Sequence, residues 1–142
     1  MASARVNDEL DASIDEVWEL VKDFGDLSAW APDGKVLDVE GEGIGAIRRV
    51  QSGDGSGAIF KERCEAIDPE AYSFSYAVLE SPLPMRDYVA LVKLSKLGPK
   101  RSGIDWSSEF EPVGAPEAEL VQAIQAGYGY FIGSLKQTLS KR

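Results

Sequence analysis

From residue 34 to residue 111, apolar and polar side chains alternate in short runs that are separated by turn-forming residues. Alternation with a period of two is typical of strands that bury one face and expose the other. The run "YSFSYAV", residues 72–78, shows the pattern most clearly. The connections between the runs are too short for crossovers, so consecutive strands should pair antiparallel. The pattern therefore predicts a meander of six antiparallel strands.

Segments on either side of this region complete the predicted α+β fold. Residues 2–9 are predicted to form a first strand, which makes seven strands in all. Ser13 and Glu16 then form the capping box of a helix, and "DFGDLSAWAP" continues as a second short helix or turn that Pro32 ends. From Pro116 onward, apolar residues recur at helical spacing, with acidic residues first and basic residues last, as the helix dipole favours. The predicted core stripe of this helix is Leu120, Ile124, Phe131, Leu135 and Leu139, flanked by Val121, Tyr128 and Ile132.

No linker, repeat or low-complexity tract divides the 142 residues, so we expect a single domain over residues 1–142. The net charge of −9 argues against a nucleic-acid partner and against an anionic membrane surface. No apolar run approaches the ~20 residues that a membrane span requires, so no membrane insertion is expected. The single cysteine, Cys64, suits a reducing compartment, and the prediction is a cytoplasmic protein.

The sequence contains no histidine. Histidine-based nucleophile arrangements, histidine general bases and the commonest zinc ligand are therefore excluded. With a single cysteine, zinc sites built from thiolates are excluded as well, and we expect neither a metal nor another cofactor. Any catalysis would have to depend on carboxylates, lysine, tyrosine or bound water.

A single C-terminal helix of 24 residues, roughly 36 Å long, is too narrow to fill the concave side of a seven-stranded sheet. The remaining space must contain large side chains or a ligand cavity. Gly127 lies on the predicted core stripe of the helix, where the missing side chain would leave room. A cavity and close packing against the sheet are both compatible with this glycine.

Several segments in order resemble one known family: "VWELVKDFGDLSAWAP", "GEGIGAIRRV", "ERCEAID", "SPLPMRDYVALVKL" and the terminal amphipathic helix. Over about residues 2–140 the chain resembles a polyketide cyclase/dehydrase-type member of the START-like (SRPBCC) superfamily. The resemblance implies the helix-grip fold, a seven-stranded curved antiparallel sheet around a long C-terminal helix, with two short helices after the first strand. It is similar to the fold of the plant abscisic acid receptors and of the major birch pollen allergen, and it implies an internal cavity closed by loops.

Two charged residues are candidates for contacts inside that cavity. By strand parity Lys35 shares a face with Leu37 and Val39, and it resembles the lysine that holds a ligand carboxylate in the plant receptors. The alternative is a lysine at a strand end that reaches water. Glu62 shares a face with Phe60, and its place matches a cavity glutamate in receptor-like members. The alternative for Glu62 is a structural pair with an inward arginine or with Lys35.

The motif Arg86-Asp87-Tyr88 resembles the Arg-Asn-Tyr that follows the latch loop of the receptors. The resemblance places the Tyr88 ring in the cavity and Arg86 at its entrance. The chain lacks the latch histidine, and "SGDGSG" replaces the apolar gate loop, so closure triggered by a hormone is doubtful. The residues assigned to the gate and latch loops are Ser52, Gly53, Asp54, Gly55, Pro82, Leu83 and Pro84.

Aromatic side chains at inward positions could line the cavity or form ordinary core. The candidates for the lining are Phe60, Phe74, Tyr76, Trp106 and Tyr128. Trp18 is assigned to the core, and Trp30 is predicted to close one end of the cavity. Cys64 is interpreted as an inert, small apolar residue.

Three functions fit these features. The first is binding of a small hydrophobic or amphipathic molecule, lipid-like or hormone-like, including one that bears a carboxylate. The second is a polyketide cyclase- or dehydratase-like enzyme in which Glu62 or Tyr88 moves protons. The third is a ligand-gated protein-interaction module with Leu83 and Met85 as exposed anchors. The absence of histidine and of a clear acid–base pair places binding first.

Overall fold

The computed structural model describes residues 1–53 and 55–142, which form one curved antiparallel sheet with a long helix against its concave face. The elements are β1 (Ala2–Leu10), α1 (Ile14–Val21), β2 (Lys35–Glu40), β3 (Ile47–Gln51), β4 (Ile59–Asp68), β5 (Ser73–Glu80), β6 (Met85–Gly98), β7 (Arg101–Pro112) and α2 (Glu117–Ser140). This arrangement confirms the predicted helix-grip fold.

The strands follow the order β1-β7-β6-β5-β4-β3-β2, so β1 lies at one edge of the sheet beside β7, and β2 lies at the other edge. β1 pairs with β7 in a regular register that runs from Ala2 opposite Phe110 to Leu10 opposite Ser102. The other strands form the predicted meander, with bulges in β2, β4, β5 and β6. Bulges increase the local bend of a strand and so help to curve the sheet.

The core lies between the concave face of the sheet and α2, which packs mainly against β1 and β7. The buried residues of α2 are Leu120, Ile124, Tyr128, Ile132 and Leu135. The buried stripe is therefore centred closer to Tyr128 and Ile132 than the sequence pattern indicated. Phe131 and Leu139, which the pattern places within the stripe, are half-buried.

The second short helix that the resemblance implied does not form, and residues 22–34 instead make a series of turns. The Asp23 carboxylate accepts the backbone N–H of Gly25, and the Asp26 carboxylate accepts that of Ser28. Aspartates that bind nearby backbone in this way compete with helix formation. We call residues 22–34 the cover segment, because it lies between the sheet and α2.

The helix α2 contains three glycines, Gly127, Gly129 and Gly133, and a side chain would fit at each of them. A methyl group at Gly129 would meet no atom within 4 Å outside its own helix turn. We therefore expect Gly129→Ala to raise the free energy of unfolding by about 0.5–1 kcal/mol, because alanine loses less backbone entropy in a helix. Gly41→Ala is the control, since Gly41 has a φ of 81° and alanine there should destabilise. Urea denaturation should show a higher free energy of unfolding than that of the wild type for Gly129→Ala and a lower one for Gly41→Ala.

Among the residues described, neither helix combines the length and the apolar character that a membrane crossing requires.

Candidate functional site

Three tyrosine hydroxyls meet in the interior, where α2 faces the middle of the sheet. The Tyr88 hydroxyl hydrogen-bonds to that of Tyr128 and lies 3.5 Å from that of Tyr76. Tyr128 donates to Ser108 Oγ at 2.7 Å, and Trp106 Nε1 donates to the Tyr76 hydroxyl at 3.2 Å. All five side chains are buried. We call Tyr76, Tyr88, Tyr128, Ser108 and Trp106 the hydroxyl cluster.

The register of the sheet explains why these residues meet. Tyr76 on β5 pairs with Ala90 on β6, and Ala90 pairs in turn with Ser108 on β7. The small Ala90 side chain between them leaves room for the rings and hydroxyls from either side. Tyr128 reaches the same place from α2, and its ring stacks on Trp106 with centroids 4.8 Å apart.

Burial keeps these hydroxyls protonated. It raises the pKa of Tyr128 to about 12 and holds the pKa of Tyr76 and of Tyr88 well above the ordinary value, since a phenolate would lose its hydration in the interior. The Glu62 charge further raises the pKa of Tyr76 and of Tyr128. The cluster therefore offers neutral O–H groups that can donate or accept hydrogen bonds.

These pKa directions predict a loss of stability at high pH. An unfolded tyrosine releases its proton near pH 10, whereas Tyr76, Tyr88 and Tyr128 keep theirs in the folded state. Above pH 10 the unfolded state binds fewer protons, so stability should fall by up to ~1.4 kcal/mol per pH unit for each tyrosine. Phenolate absorbance followed together with circular dichroism should show three of the five tyrosines ionising only on unfolding. Ionisation of all five before unfolding would contradict this prediction.

A buried ion pair lies beside the cluster, where β3 and β4 pair. Arg48, which is 1% exposed, lies opposite Glu62 across the strands and donates from Nε to Glu62 Oε1 at 2.8 Å. Its Nη1 donates to the Phe24 carbonyl oxygen at 2.6 Å. Its guanidinium carbon lies 3.9 Å from the centre of the Phe24 ring and 5.5 Å from that of Tyr76. Glu62 thus lies on the inner face, as its strand parity indicated.

The sequence analysis did not name Arg48, although it left open a pair between Glu62 and an inward arginine. The available signal was alternation, which places Arg48 on one face with Ala46 and Val50. Arg49 follows immediately with the opposite parity and points outward to Asp38. Because two arginines are adjacent, the sequence alone does not decide which of them points inward. The pairing of β3 with β4, which places Arg48 opposite Glu62, decides it.

Hydrogen-bond donors are in excess near this pair. Within the described part of the chain, Arg48 uses two of its five N–H groups, on Glu62 and on the Phe24 carbonyl. Trp30 Nε1 is buried without a hydrogen-bond partner, and its ring centre lies 5.8 Å from the Arg48 guanidinium carbon. Buried donors that lack acceptors are costly, so an oxygen atom at this place would stabilise the site.

Little empty space remains between the sheet and α2. A void of about 10 Å³ is lined by aromatic and aliphatic side chains, among them Trp30, Phe74, Trp106 and Phe131. That volume holds about one water molecule, whereas ligand sites occupy roughly 300–1,000 Å³. In this conformation side chains thus fill the space that the sequence analysis considered for a cavity, and close packing is what the structure shows. Next to Gly127, however, a methyl group would meet no atom within 4 Å outside its own helix turn.

A larger depression of about 420 Å³ lies elsewhere, across β4, β5 and the start of β6 near Arg63, Ala77 and Val89. These three residues pair across the strands on the convex face. Tyr88 of the hydroxyl cluster also lines the depression, so the depression adjoins the cluster at this one residue.

The prediction that Lys35 faces the interior is wrong. Lys35 is exposed and pairs with Gln51, whereas the neighbouring Val36 pairs with Val50 and packs against the core. A bulge between Val36 and Asp38 shifts the register, so parity counted from Val39 back to Lys35 assigns the wrong face. Phe60 pairs with Val50 and is half-buried at the rim of the concave face.

The latch and gate residues lie in different surroundings. The Arg86 side chain is 71% exposed and lies outside the interior, and Pro82 and Pro84 are exposed. Leu83 between them is half-buried and packs against the core.

On the opposite loop, Gly53 presses against the cover segment. A side-chain carbon there would come within 2.3 Å of the Asp33 carbonyl oxygen, so only glycine fits. Ser52 is half-buried, and Gly55 is exposed with a φ of 87°. Asp54, which the sequence analysis also assigned to this loop, lies outside the described residues.

The remaining assignments concern core residues. Trp18 packs edge-on against Tyr72, and Trp30 lies between Trp106 and Phe131. Cys64 is fully buried, and burial raises the pKa of its thiol, which suits an inert residue. Within residues 1–53 and 55–142, no three acidic or cysteine side chains gather as a metal site would require.

Comparison with known proteins gives a family and a fold. A family model described as "Polyketide cyclase / dehydrase and lipid transport" matches residues 1–140. No curated protein matches the chain. Among solved structures, the chain is similar to the protein XoxI from Bacillus cereus, with 22% identity and a TM-score of 0.85 over 96% of this chain and 94% of that one.

Two similar structures are enzymes by their names. One is norcoclaurine synthase from Thalictrum flavum in complex with dopamine and hydroxybenzaldehyde, with 16% identity and a TM-score of 0.74 over 99% of this chain and 87% of that one. The other is BexL, a di-domain ARO/CYC protein from the BE-7585A biosynthetic pathway, with 19% identity and a TM-score of 0.81. This chain covers 47% of BexL, and BexL aligns with 99% of this chain. At these identities the likeness concerns the fold.

Proposed function

Because the chain belongs to the family of polyketide cyclases, dehydrases and lipid-transport proteins, we propose that it binds a small hydrophobic or amphipathic molecule between its sheet and α2. The observation that carries the proposal is the buried Trp30 Nε1 donor, which has no acceptor and lies near the Arg48 guanidinium. An acceptor oxygen of a ligand would satisfy both groups at once.

The polar end of the ligand is a carboxylate or a carbonyl oxygen. Arg48 keeps its bond to Glu62, so the pair is nearly neutral and does not repel an acid. An N–H group of the Arg48 guanidinium and Trp30 Nε1–H then donate to the ligand oxygen, and charge-assisted bonds of this kind are among the stronger ones. Lys35, on the outer face, has no part in this arrangement.

The remainder of the ligand lies among aromatic rings. Trp106 stacks on Tyr128 and on Phe131, and Trp30 meets Trp106 edge-on with centroids 5.2 Å apart. Flat or aliphatic groups would replace these ring contacts with contacts of similar size. The hydroxyl cluster beside the ion pair supplies a second polar contact for an amphipathic ligand with a further polar group.

A cyclase- or dehydratase-like reaction is the second candidate, and the hydroxyl cluster favours it. Neutral tyrosine O–H groups in a dry site can stabilise an oxyanion that develops on a carbonyl substrate. Glu62 is close enough for its charge to affect Tyr76 and Tyr128, and it is the carboxylate that could accept a proton. The names of norcoclaurine synthase and of the ARO/CYC protein BexL support this candidate by analogy.

The protein-interaction module has less support. Its proposed anchors, Leu83 and Met85, are half-buried and pack against the core instead of standing free on the surface.

The binding proposal is tested by nuclear magnetic resonance of the tryptophan side chains, with 8-anilinonaphthalene-1-sulfonate as the probe. This probe combines flat aromatic rings with an anionic acceptor group. The protein has three tryptophans and therefore three indole N–H signals. We expect saturable binding that moves the Trp30 signal strongly downfield, because Trp30 Nε1–H gains an acceptor.

The matched variants are Trp30→Phe and Trp18→Phe. Trp30→Phe identifies the Trp30 signal, removes the unpaired donor and should weaken binding about tenfold, since one bond to a charged group is lost. Trp18→Phe removes an indole that faces Tyr72 and should leave the affinity unchanged. Binding that leaves the Trp30 signal in place, or equal affinities of the two variants, would refute the site.

A further inference from the structure

A ligand can enter the interior only if part of the protein moves, because the void there measures about 10 Å³. Sheet hydrogen bonds hold β1 to β7, and α2 is a continuous helix of 24 residues. The cover segment, residues 22–34, has neither kind of support. Irregular segments with few backbone hydrogen bonds open at lower free-energy cost than strands or long helices.

The cover segment contributes Phe24, Leu27, Ala29, Trp30 and Ala31 to the core, and further contacts hold it on the sheet side. The Phe24 carbonyl oxygen accepts from Arg48 Nη1 at 2.6 Å. Gly25 lies against β2, where a side-chain carbon on Gly25 would be 3.5 Å from Val39 Cγ2.

On the helix side, two hydroxyls hold it. Thr138 Oγ1 donates to the Ala29 carbonyl oxygen at 2.6 Å, and the Tyr130 hydroxyl donates to Asp33 Oδ2 at 2.7 Å. The cover segment therefore bridges the gap between β2–β3 and α2 through these separate bonds and through its buried side chains.

Trp30 is the residue of the cover segment that lines the void. Its ring meets Phe131 edge-on at 5.4 Å and lines the void together with Trp106. Withdrawal of this one ring would enlarge the void next to the free N–H groups of Arg48. Trp30, whose ring fills the site, thus belongs to the cover segment. Arg48, whose N–H groups would recognise a ligand, holds that segment through the Phe24 carbonyl.

We infer that the cover segment is the movable entrance of the site, and that an acidic ligand opens it by taking the Arg48 N–H group that holds the Phe24 carbonyl. This inference rests on the proposed function. Arg48 keeps its bond to Glu62 and exchanges a neutral carbonyl for a charged oxygen, which is the stronger acceptor. The SPLP loop, residues 81–84, stays in place during this exchange.

The inference is tested by locking the cover segment to β2 with a disulfide in the Gly25→Cys/Val39→Cys double variant. The two γ carbons of Val39 lie 3.5 and 3.9 Å from the carbon that a side chain at Gly25 would add, so cysteine side chains at these two positions would be neighbours. Cys64 is fully buried and does not interfere. Stopped-flow fluorescence with 8-anilinonaphthalene-1-sulfonate measures the association rate of the oxidised and of the reduced protein.

We expect the oxidised double variant to bind the probe at least tenfold more slowly than the same protein after reduction. The two single-cysteine variants should bind at the wild-type rate under both conditions. Equal rates for the oxidised and reduced double variant would overturn the cover inference while the binding proposal stands. No binding by the wild type and by the reduced variant would overturn both.

A second variant loosens the same segment from its other side. Thr138→Val removes the bond to the Ala29 carbonyl while it keeps the size of the side chain. We expect faster probe association and faster hydrogen exchange at the amides of Ala31 and Gly34, whose bonds lie within the cover segment. Ser140→Ala, which removes a bond within α2, should change neither rate. Equal behaviour of the two variants would count against the inference.

Discussion

Replacing Glu62 with leucine is expected to lower the free energy of unfolding by about 3–5 kcal/mol. The substitution leaves the Arg48 guanidinium in the interior without its counter-charge, since the Arg48 side chain is 2% exposed. Removing one partner of a buried ion pair costs this much because the other charge stays desolvated and uncompensated. Urea denaturation of the wild type and of the variant measures the loss.

Two further variants separate the effect of burial from that of charge. Asp38→Leu breaks the pair with Arg49 on the outer face of β2 and β3, where both side chains are exposed, and should change stability little. The Arg48→Met/Glu62→Leu double variant removes both charges and should recover most of the loss, because apolar groups can replace a buried pair at little cost. A loss below about 1 kcal/mol for Glu62→Leu alone would show that water reaches Arg48.

Trp106→Ala is expected to destabilise the protein by about 3–5 kcal/mol. Trp106 is buried where α2, the sheet and the cover segment meet, and it contacts rings from all three. Truncating a large buried aromatic side chain removes its apolar contacts and leaves a cavity that neighbouring groups fill only in part. The Tyr76 hydroxyl also loses the hydrogen bond that Trp106 Nε1 donates to it.

The control for Trp106→Ala is Val89→Ala on β6, the neighbouring strand. Val89 is on the convex face and is 45% exposed, so its truncation should change the free energy of unfolding by less than about 1 kcal/mol. Thermal and urea denaturation compare the two variants. A similar loss for both would mean that the interior around Trp106 is loosely packed, which would contradict the described contacts.

The strands and the long helix could be predicted because their patterns are local. Tyr76 and Trp106 were placed on the inner face by alternation alone, and both are buried. The cover segment was less predictable, since Asp23 and Asp26 can either begin a helix or bind their own backbone. Tertiary contacts, such as the bond from Arg48 to the Phe24 carbonyl, favour the turns.

Residues at an edge strand or after a bulge were the hardest to predict. Lys35 was assigned to the inner face by counting from Val39, and one extra residue in β2 reverses that count. Arg48 needed the register between β3 and β4, which no single strand pattern contains. The hydroxyl cluster likewise depends on which strands are neighbours, because Tyr128 lies 40 residues beyond Tyr88.

The degree to which the interior is filled could not be predicted either. Sequence composition gives the number of aromatic side chains but not the curvature of the sheet that they must fill. Trp30 determines how much of the interior is filled, because a turn in the cover segment directs its ring inward. The same sequence with that ring withdrawn would have been compatible with an open cavity.

The pairing of β1 with β7 determines when the protein can fold during its synthesis. Residues 2–10 find their partner strand only after residues 101–112 have been made, roughly 5–20 s later at about 5–20 residues per second. Until then the buried face of β1, which includes Ala4 and Leu10, has nothing to pack against. Pairing across so long a stretch also slows folding itself. The nascent chain therefore exposes apolar surface for seconds, and it should depend on chaperones more than a protein of the same size whose first elements can pack together.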